Sequence, residues 1–227
     1  MIMKRVILWF RHDLRQQNNP ALEWAIEQQA QIMPVYIHAP GEEEPWPPGG
    51  ASRWWLHHSL LQLQKSLAGI GLKLRFYHGG SSEILLRLVR NGRVDAVAAN
   101  RLYEPGLVQR DRLLGRRLAG HGVQLHQFDS ALLVAPEEIL NAQGRPYRVF
   151  TPYWRKARRE LLHSPPATLQ QRAAVRLNAF DTGTPECLTL EQLALLDCQP
   201  WHLKLHRYWQ PGEQTALVLL DEFVASE

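Results

Sequence analysis

Cysteine is nearly absent from this chain: Cys187 and Cys198 are the whole complement in 227 residues. Two cysteines are too few for a disulfide framework, and these are not spaced as a CxxC redox pair, which fits a reducing compartment. Long hydrophobic runs are missing as well. The apolar start at Ile2 is broken by Lys4 and Arg5 and again by Arg11, leaving no signal-peptide core and no stretch that spans a bilayer. A cytoplasmic protein without a membrane partner is expected. Glycine is lacking where a dinucleotide site needs it: the turn after the first apolar run has none, and "GIGLKL" (69–74) precedes a strand-like run instead of following one. There is no phosphate-binding loop, no GxSxG and no HExxH, so common hydrolase chemistry lacks its central residues. Metal ligands are sparse too. Cys187, Cys198, His202 and His206 are the one suggestive grouping, but Pro200 and Trp201 interrupt it and the cysteine spacing fits no common structural zinc site. Packing histidines and no metal are expected.

What is present is an alternating chain, 45% hydrophobic and 21% charged, long enough to bury a full domain and part of a second. Short apolar runs at Val6 to Phe10, Ile32 to His38, Leu72 to Tyr77, Val94 to Ala99 and Gln124 to Phe128 read as strands, each separated from the next by a helical period. Leu56, Leu60, Leu63, Leu67 and Ile70 recur at steps of four and three, one apolar stripe of a helix facing a core. Ile84, Leu85, Leu88 and Val89 do the same for another helix, and Leu107, Leu114 and Leu118 for a fourth. Near-continuous apolar strands between helices imply a parallel sheet covered on both faces, with right-handed crossovers. The expected fold is α/β: a doubly wound, Rossmann-like, five-stranded sheet in the order 3-2-1-4-5. That order opens a crevice between the carboxyl ends of strands one and four.

Those ends carry polar residues. "VILWFRHDLRQQNNPAL" (6–22) turns at Phe10 from apolar to charged, with Arg11, His12, Asp13 and Arg15 in five positions, and strand four leaves through "NRLYEP" (100–105). Asn19 as N-cap and Pro20 at the first helical position account for the end of the loop. An Arg–Asp pair that ties the loop down would account for two of the charges; a ligand site at the switch point would account for them all. The basic patches "QRDRLLGRR" (109–117) and "WRKARR" (154–159) are solvated helix faces or surfaces that approach polyanions.

The motifs together resemble the DNA photolyase and cryptochrome family. "LWFRHDLRQQNNPALEWA", "SRWWLHHSLLQLQKSLAGIGLKL", "NRLYEPGLVQRD", "FDSALLVAPEEILNAQGRPYRVFTPYWRKA" and "WQPGEQTALVLLDEF" fall in that family's order with its spacing. Asn18 stands where the family usually has Asp, and both cap well. The resemblance implies the N-terminal α/β domain of a photolyase-like protein: residues 1–135 as the antenna-binding domain, 136–162 as its end segment, 163–210 as an interdomain linker crossing the surface, and 211–227 as the first helix of an all-helical domain that is missing here. That helical domain would hold FAD and receive the flipped pyrimidine dimer of damaged DNA, so the parent protein would be a light-driven carbon–carbon lyase and this chain alone would be inactive. A cryptochrome, a light sensor of the same architecture, is the alternative; a stand-alone nucleotide-binding module is a third reading.

In the family the α/β domain often holds a light-harvesting chromophore at the carboxyl ends of its sheet, where the switch point had already put Arg11, Asp13, Asn100 and Glu104. Tyr36 and His38 at the end of strand two and Arg53 at the start of the next helix should rim the same opening. A guanidinium stacks on a planar ring or binds an acidic tail, and carboxylates accept from ring N–H groups; no catalytic acid or base is needed. Folate-binding members carry an Asn-Glu pair where this chain has Gly106 and Leu107, so a flavin or deazaflavin antenna, or an empty pocket, is expected over folate.

Overall fold

A computed structural model of the chain describes residues 3–42, 45–135, 137–163, 176–183, 187–196 and 200–226. Five parallel strands, β1 (Arg5–Phe10), β2 (Gln31–His38), β3 (Arg75–His78), β4 (Ala96–Asn100) and β5 (Gln124–Phe128), form one sheet in the order β3-β2-β1-β4-β5. The expected topology is therefore the observed one. Strand alternation divides the core into two layers. Val6, Leu8 and Phe10 of β1 face the layer built with α1 (Pro20–Glu27) and α2 (Gly50–Gly69), where Leu60, Leu63 and Leu67 are buried. Ile7 and Trp9 face the layer of α3 (Ser81–Gly92) and α4 (Pro105–Ala119), which buries Ile84, Leu85, Leu88, Leu114 and Leu118. The leucine stripes are core, and each buried side chain contributes about 1.5–3 kcal/mol.

Local signals set the helix ends. Asn19 accepts from the Leu22 backbone N–H at 3.2 Å with Pro20 behind it, so α1 starts where a cap and a fixed φ coincide. Two strands, β3 and β4, start more than one residue later than expected. Leu72, Leu74 and Val94 are buried but unpaired, because the β2–β3 register opens only at Val35 with Arg75 and the β1–β4 register at Val6 with Ala96.

The stretch expected to cross the surface as a linker adds to the sheet layers in its described parts. Ile32 N–H donates to Asn178 at 2.8 Å, Leu188 N–H to Phe76 at 2.9 Å, and Leu190, Leu193 and Leu195 are buried in the α1/α2 layer. Hydrophobic period was absent there because the contacts come from single leucines in turns and one short 3-10 helix (Glu191–Leu193). A second 3-10 segment (Pro200–Arg207) lies against α2 through its His206, whose ring is 4.4 Å from His58 and 5.1 Å from Trp54. The remaining helices are α5 (Phe150–His163) and α6 (Glu213–Ala225). No helix of the described chain is long and apolar enough to cross a membrane.

Candidate functional site

Strand alternation carries Arg11 to the same side of the sheet as Trp9, and its guanidinium lies over the Trp9 ring at 4.9 Å. Arg110, from α4, covers Trp9 at 4.8 Å. Asp111 pairs with Arg11 and, at 2.7 Å, with Arg110; Arg110 also reaches Glu42 at 2.7 Å, and Gln127 donates to Asp111 at 2.8 Å. Glu42 in turn accepts from the Ser81 backbone N–H at 2.6 Å and hydroxyl at 2.8 Å. This network fills the space beside the ends of β1 and β4, leaving only about 40 Å³. Burial pushes the Arg11 guanidinium below its ordinary value, against the opposing pull of Asp111. Its Nε and Nη2 find no partner among the described residues.

The larger volume lies on the opposite side, toward α1 and α2. An open cleft of about 590 Å³ is bordered by the loop after β1 (Arg11 to Arg15, Gln17 and Asn18), Tyr36, one face of α2 (Ser52, Trp55, Leu56, Ser59) and α6 (Glu213, Ala216, Leu217, Leu220). Its size suits a small organic ligand. The Glu213 carboxylate holds α6 to the loop by accepting the backbone N–H groups of Gln16 and Gln17 at 2.8 and 2.7 Å. Arg15 stiffens the same loop by donating to the carbonyls of Asn18 at 3.1 Å and Ser130 at 2.8 Å.

Of the seven residues expected at the site, Arg11, Asp13 and Tyr36 line this cavity. Asn100 does other work: it donates to Asp13 and, at 2.8 Å, to Asn19, and accepts from the Ala21 N–H at 3.1 Å, so it pins the loop to α1 from beneath. Burial raises the Asp13 carboxyl above its ordinary value, and the hydrogen bond from Asn100 opposes that shift. His38 packs its ring 5.4 Å from His78; burial, then His78 and Arg53, hold its pKa below the usual imidazole value. Arg53 donates to the Pro48 carbonyl at 3.1 Å, and Glu104 is exposed at the N-terminus of α4. None of these four lines the large cavity. Gly106 and Leu107 lie in the first turn of α4, where Leu107 borders the small crevice. Trp55, Arg15 and Glu213 do line the large cavity and were absent from the expected set. Trp55 stands in the block "SRWWLHH", and Leu217 and Leu220 in the block "WQPGEQTALVLLDEF".

No group of three potential metal ligands converges among the described residues. His206 packs on aromatic rings, Cys187 is half-buried, and Cys198 lies outside the described residues.

The model of the DNA photolyase family matches residues 6–171. The chain belongs to the DNA photolyase family. Among its photolyase and cryptochrome relatives, a deoxyribodipyrimidine photo-lyase of Agrobacterium fabrum is 36% identical over 96% of this chain and 44% of its own length. Cryptochrome-2 of Arabidopsis thaliana is 34% identical over 99% of this chain and 37% of its own. The crystal structure of a bacterial class III photolyase from Agrobacterium tumefaciens superposes with a TM-score of 0.87 at 34% identity, covering 99% of this chain and 45% of that one. The chain thus spans less than half the length of these photolyase-family relatives.

Proposed function

We propose that this chain is the antenna-bearing α/β part of a deoxyribodipyrimidine photolyase, a light-driven lyase that splits cyclobutane pyrimidine dimers in damaged DNA. FAD and the flipped dimer belong, on this reading, to a helical part beyond these residues, with 1–135 as the antenna unit, 136–162 as its end segment, 163–210 as the crossing to that part and 211–227 as its first helix. The loop cavity is the chromophore site. What carries this assignment is the cavity of about 590 Å³ itself, which sets the Trp55 and Tyr36 rings beside the polar loop of His12, Asp13 and Arg15.

The residues fit a planar heteroaromatic. Trp55, Tyr36, Leu56, Leu217 and Leu220 supply apolar walls, while His12 and Arg15 supply donor groups for ring carbonyls and an acidic tail. Such a chromophore, when bound, absorbs light and passes the excitation energy to the flavin. The chain's own task is to hold the ring, fix its orientation and exclude water; no proton has to move.

The test is a titration of the 227-residue chain with flavin mononucleotide, a deazaflavin and a reduced folate, followed by ligand fluorescence. Trp55→Ala is expected to weaken binding about tenfold or more, as loss of a stacked ring does, whereas Glu104→Ala leaves it unchanged. The opposite result, an effect of Glu104 and none of Trp55, would move the site to the end of β4. The flavins are expected to bind more tightly, since Trp55, Tyr36 and Leu56 can cover a flat tricyclic ring; preferential binding of the folate would reverse that preference. The plant cryptochrome match favours one second reading, a light sensor of the same build, which dimer repair by the complete protein would exclude.

A further inference from the structure

The segment from residue 141 to 163, which contains α5, has a surface unlike that of the rest of the chain. It holds six Lys or Arg and a single acid, Glu160, so its net charge of +5 exceeds the +4 of the whole chain. Arg145, Arg148, Arg155 and Arg158 are exposed. Among them stand two rings in an unusual setting. Phe150 and Trp154, one turn apart on α5, are 71% and 44% exposed, and their planes lie within 7° of parallel at 6.3 Å. Tyr153 abuts Phe150 at 6.5 Å and Tyr147 at 6.5 Å from the other side, which steadies the pair. The helix is anchored to the body by Ala157, 3% exposed, and by Lys156, whose Nζ donates to the Leu140 carbonyl at 2.8 Å.

From this juxtaposition we infer that α5 is a contact surface for single-stranded nucleic acid, separate from the chromophore cavity and independent of its assignment. Flat, exposed rings take unstacked bases, and flanking guanidiniums follow a phosphate backbone; the combination is sequence-tolerant by construction. Trp154 and Arg158 lie one turn apart on one ridge, so a base on the ring brings its phosphate toward the guanidinium. An anionic membrane would also attract the charge. It would, however, need a continuous apolar face, and beyond Trp154 that face is spent on the protein body through Ala157.

The experiment is fluorescence anisotropy of a labelled 16-nucleotide oligothymidine, alone and in duplex with oligoadenosine, against the 227-residue chain between 50 and 200 mM salt. Expected are tighter binding of the single strand than of the duplex and a loss of about tenfold or more in Phe150→Leu/Trp154→Leu, which removes both rings but keeps apolar volume. Arg155→Gln/Arg158→Gln should weaken binding and flatten the log–log salt slope by about 1.4, at about 0.7 per phosphate contact. All the replaced side chains are exposed, and circular dichroism checks that both variants fold. Single-strand affinity unchanged in the leucine variant, equal binding of the duplex, or preferential binding to phosphatidylserine vesicles would each overturn the inference.

Discussion

Asp13 is held by the amides of Asn100 and Asn19, while the neighbouring Arg11 turns away to Asp111. Its carboxyl is a half-buried acid whose pKa is raised by desolvation more than its hydrogen bonds lower it. The sign follows: the folded state keeps this proton to a higher pH than the unfolded state, so ionisation costs stability as pH rises from about 3.8 through the raised value, and nothing more above it. Asp13→Asn, whose side-chain oxygen still accepts from Asn100, should gain melting temperature relative to the wild type across that interval and hold the gain at pH 7. A difference between the two melting curves that stays constant from pH 3 to 7 would refute the shift. At this scale the sequence was half legible. "FRHD" announced a special loop, and Asn19 and Pro20 announced its end, but the partner of Arg11 lies 100 positions away at Asp111. Nothing local in "QRDRLL" distinguishes a network member from a solvated helix face.

Elements were more legible where burial is periodic. The leucines of α2 and the paired apolar residues of α3 repeat because one helix face meets the sheet, and the repeat is visible without knowing the partner. Strand starts were misplaced because hydrophobicity reports burial and not pairing: Leu72, Leu74 and Val94 are core without being in register. The 3-10 segment Pro200–Arg207 had no period at all, and its attachment to α2 is a cluster of rings: His58, His206 and Trp54, with His57 and His202 near enough to act on His58 by charge. Burial, then the charges of His206, His57 and His202, hold His58 at about 4. Its neutral form is the folded form, so the stability it supports is complete above pH 6.5 and is lost as pH falls from 6.5 toward 4. Solvent reaches this half-buried ring, so the loss is about 1 kcal/mol. His58→Gln should flatten the acid limb of a melting-temperature profile in this window; an unchanged limb would show that the cluster is not titrating.

For the whole molecule, the described chain is a doubly wound sheet with its main cavity walled on one side by α6, a helix otherwise in sparse contact with it. Val218, Leu219, Phe223 and Val224 of α6 are exposed at 46 to 65%, so the helix turns an apolar face outward. Glu213 ties α6 to the loop after β1. Glu213→Ala should speed hydrogen exchange at the Gln16 and Gln17 amides by about tenfold, as loss of two charge-assisted bonds at a half-buried position implies, while the melting temperature falls by only a few degrees. Equal exchange in both proteins would mean that the loop is held by Arg15 alone. The same clasp governs what the loop can become. Because Glu213 grips main-chain N–H groups, the identities of residues 16 and 17 are irrelevant to it: substitutions there should be tolerated across nearly all amino acids, and proline, which has no N–H to offer, is the one residue that a saturation library would reject at both positions.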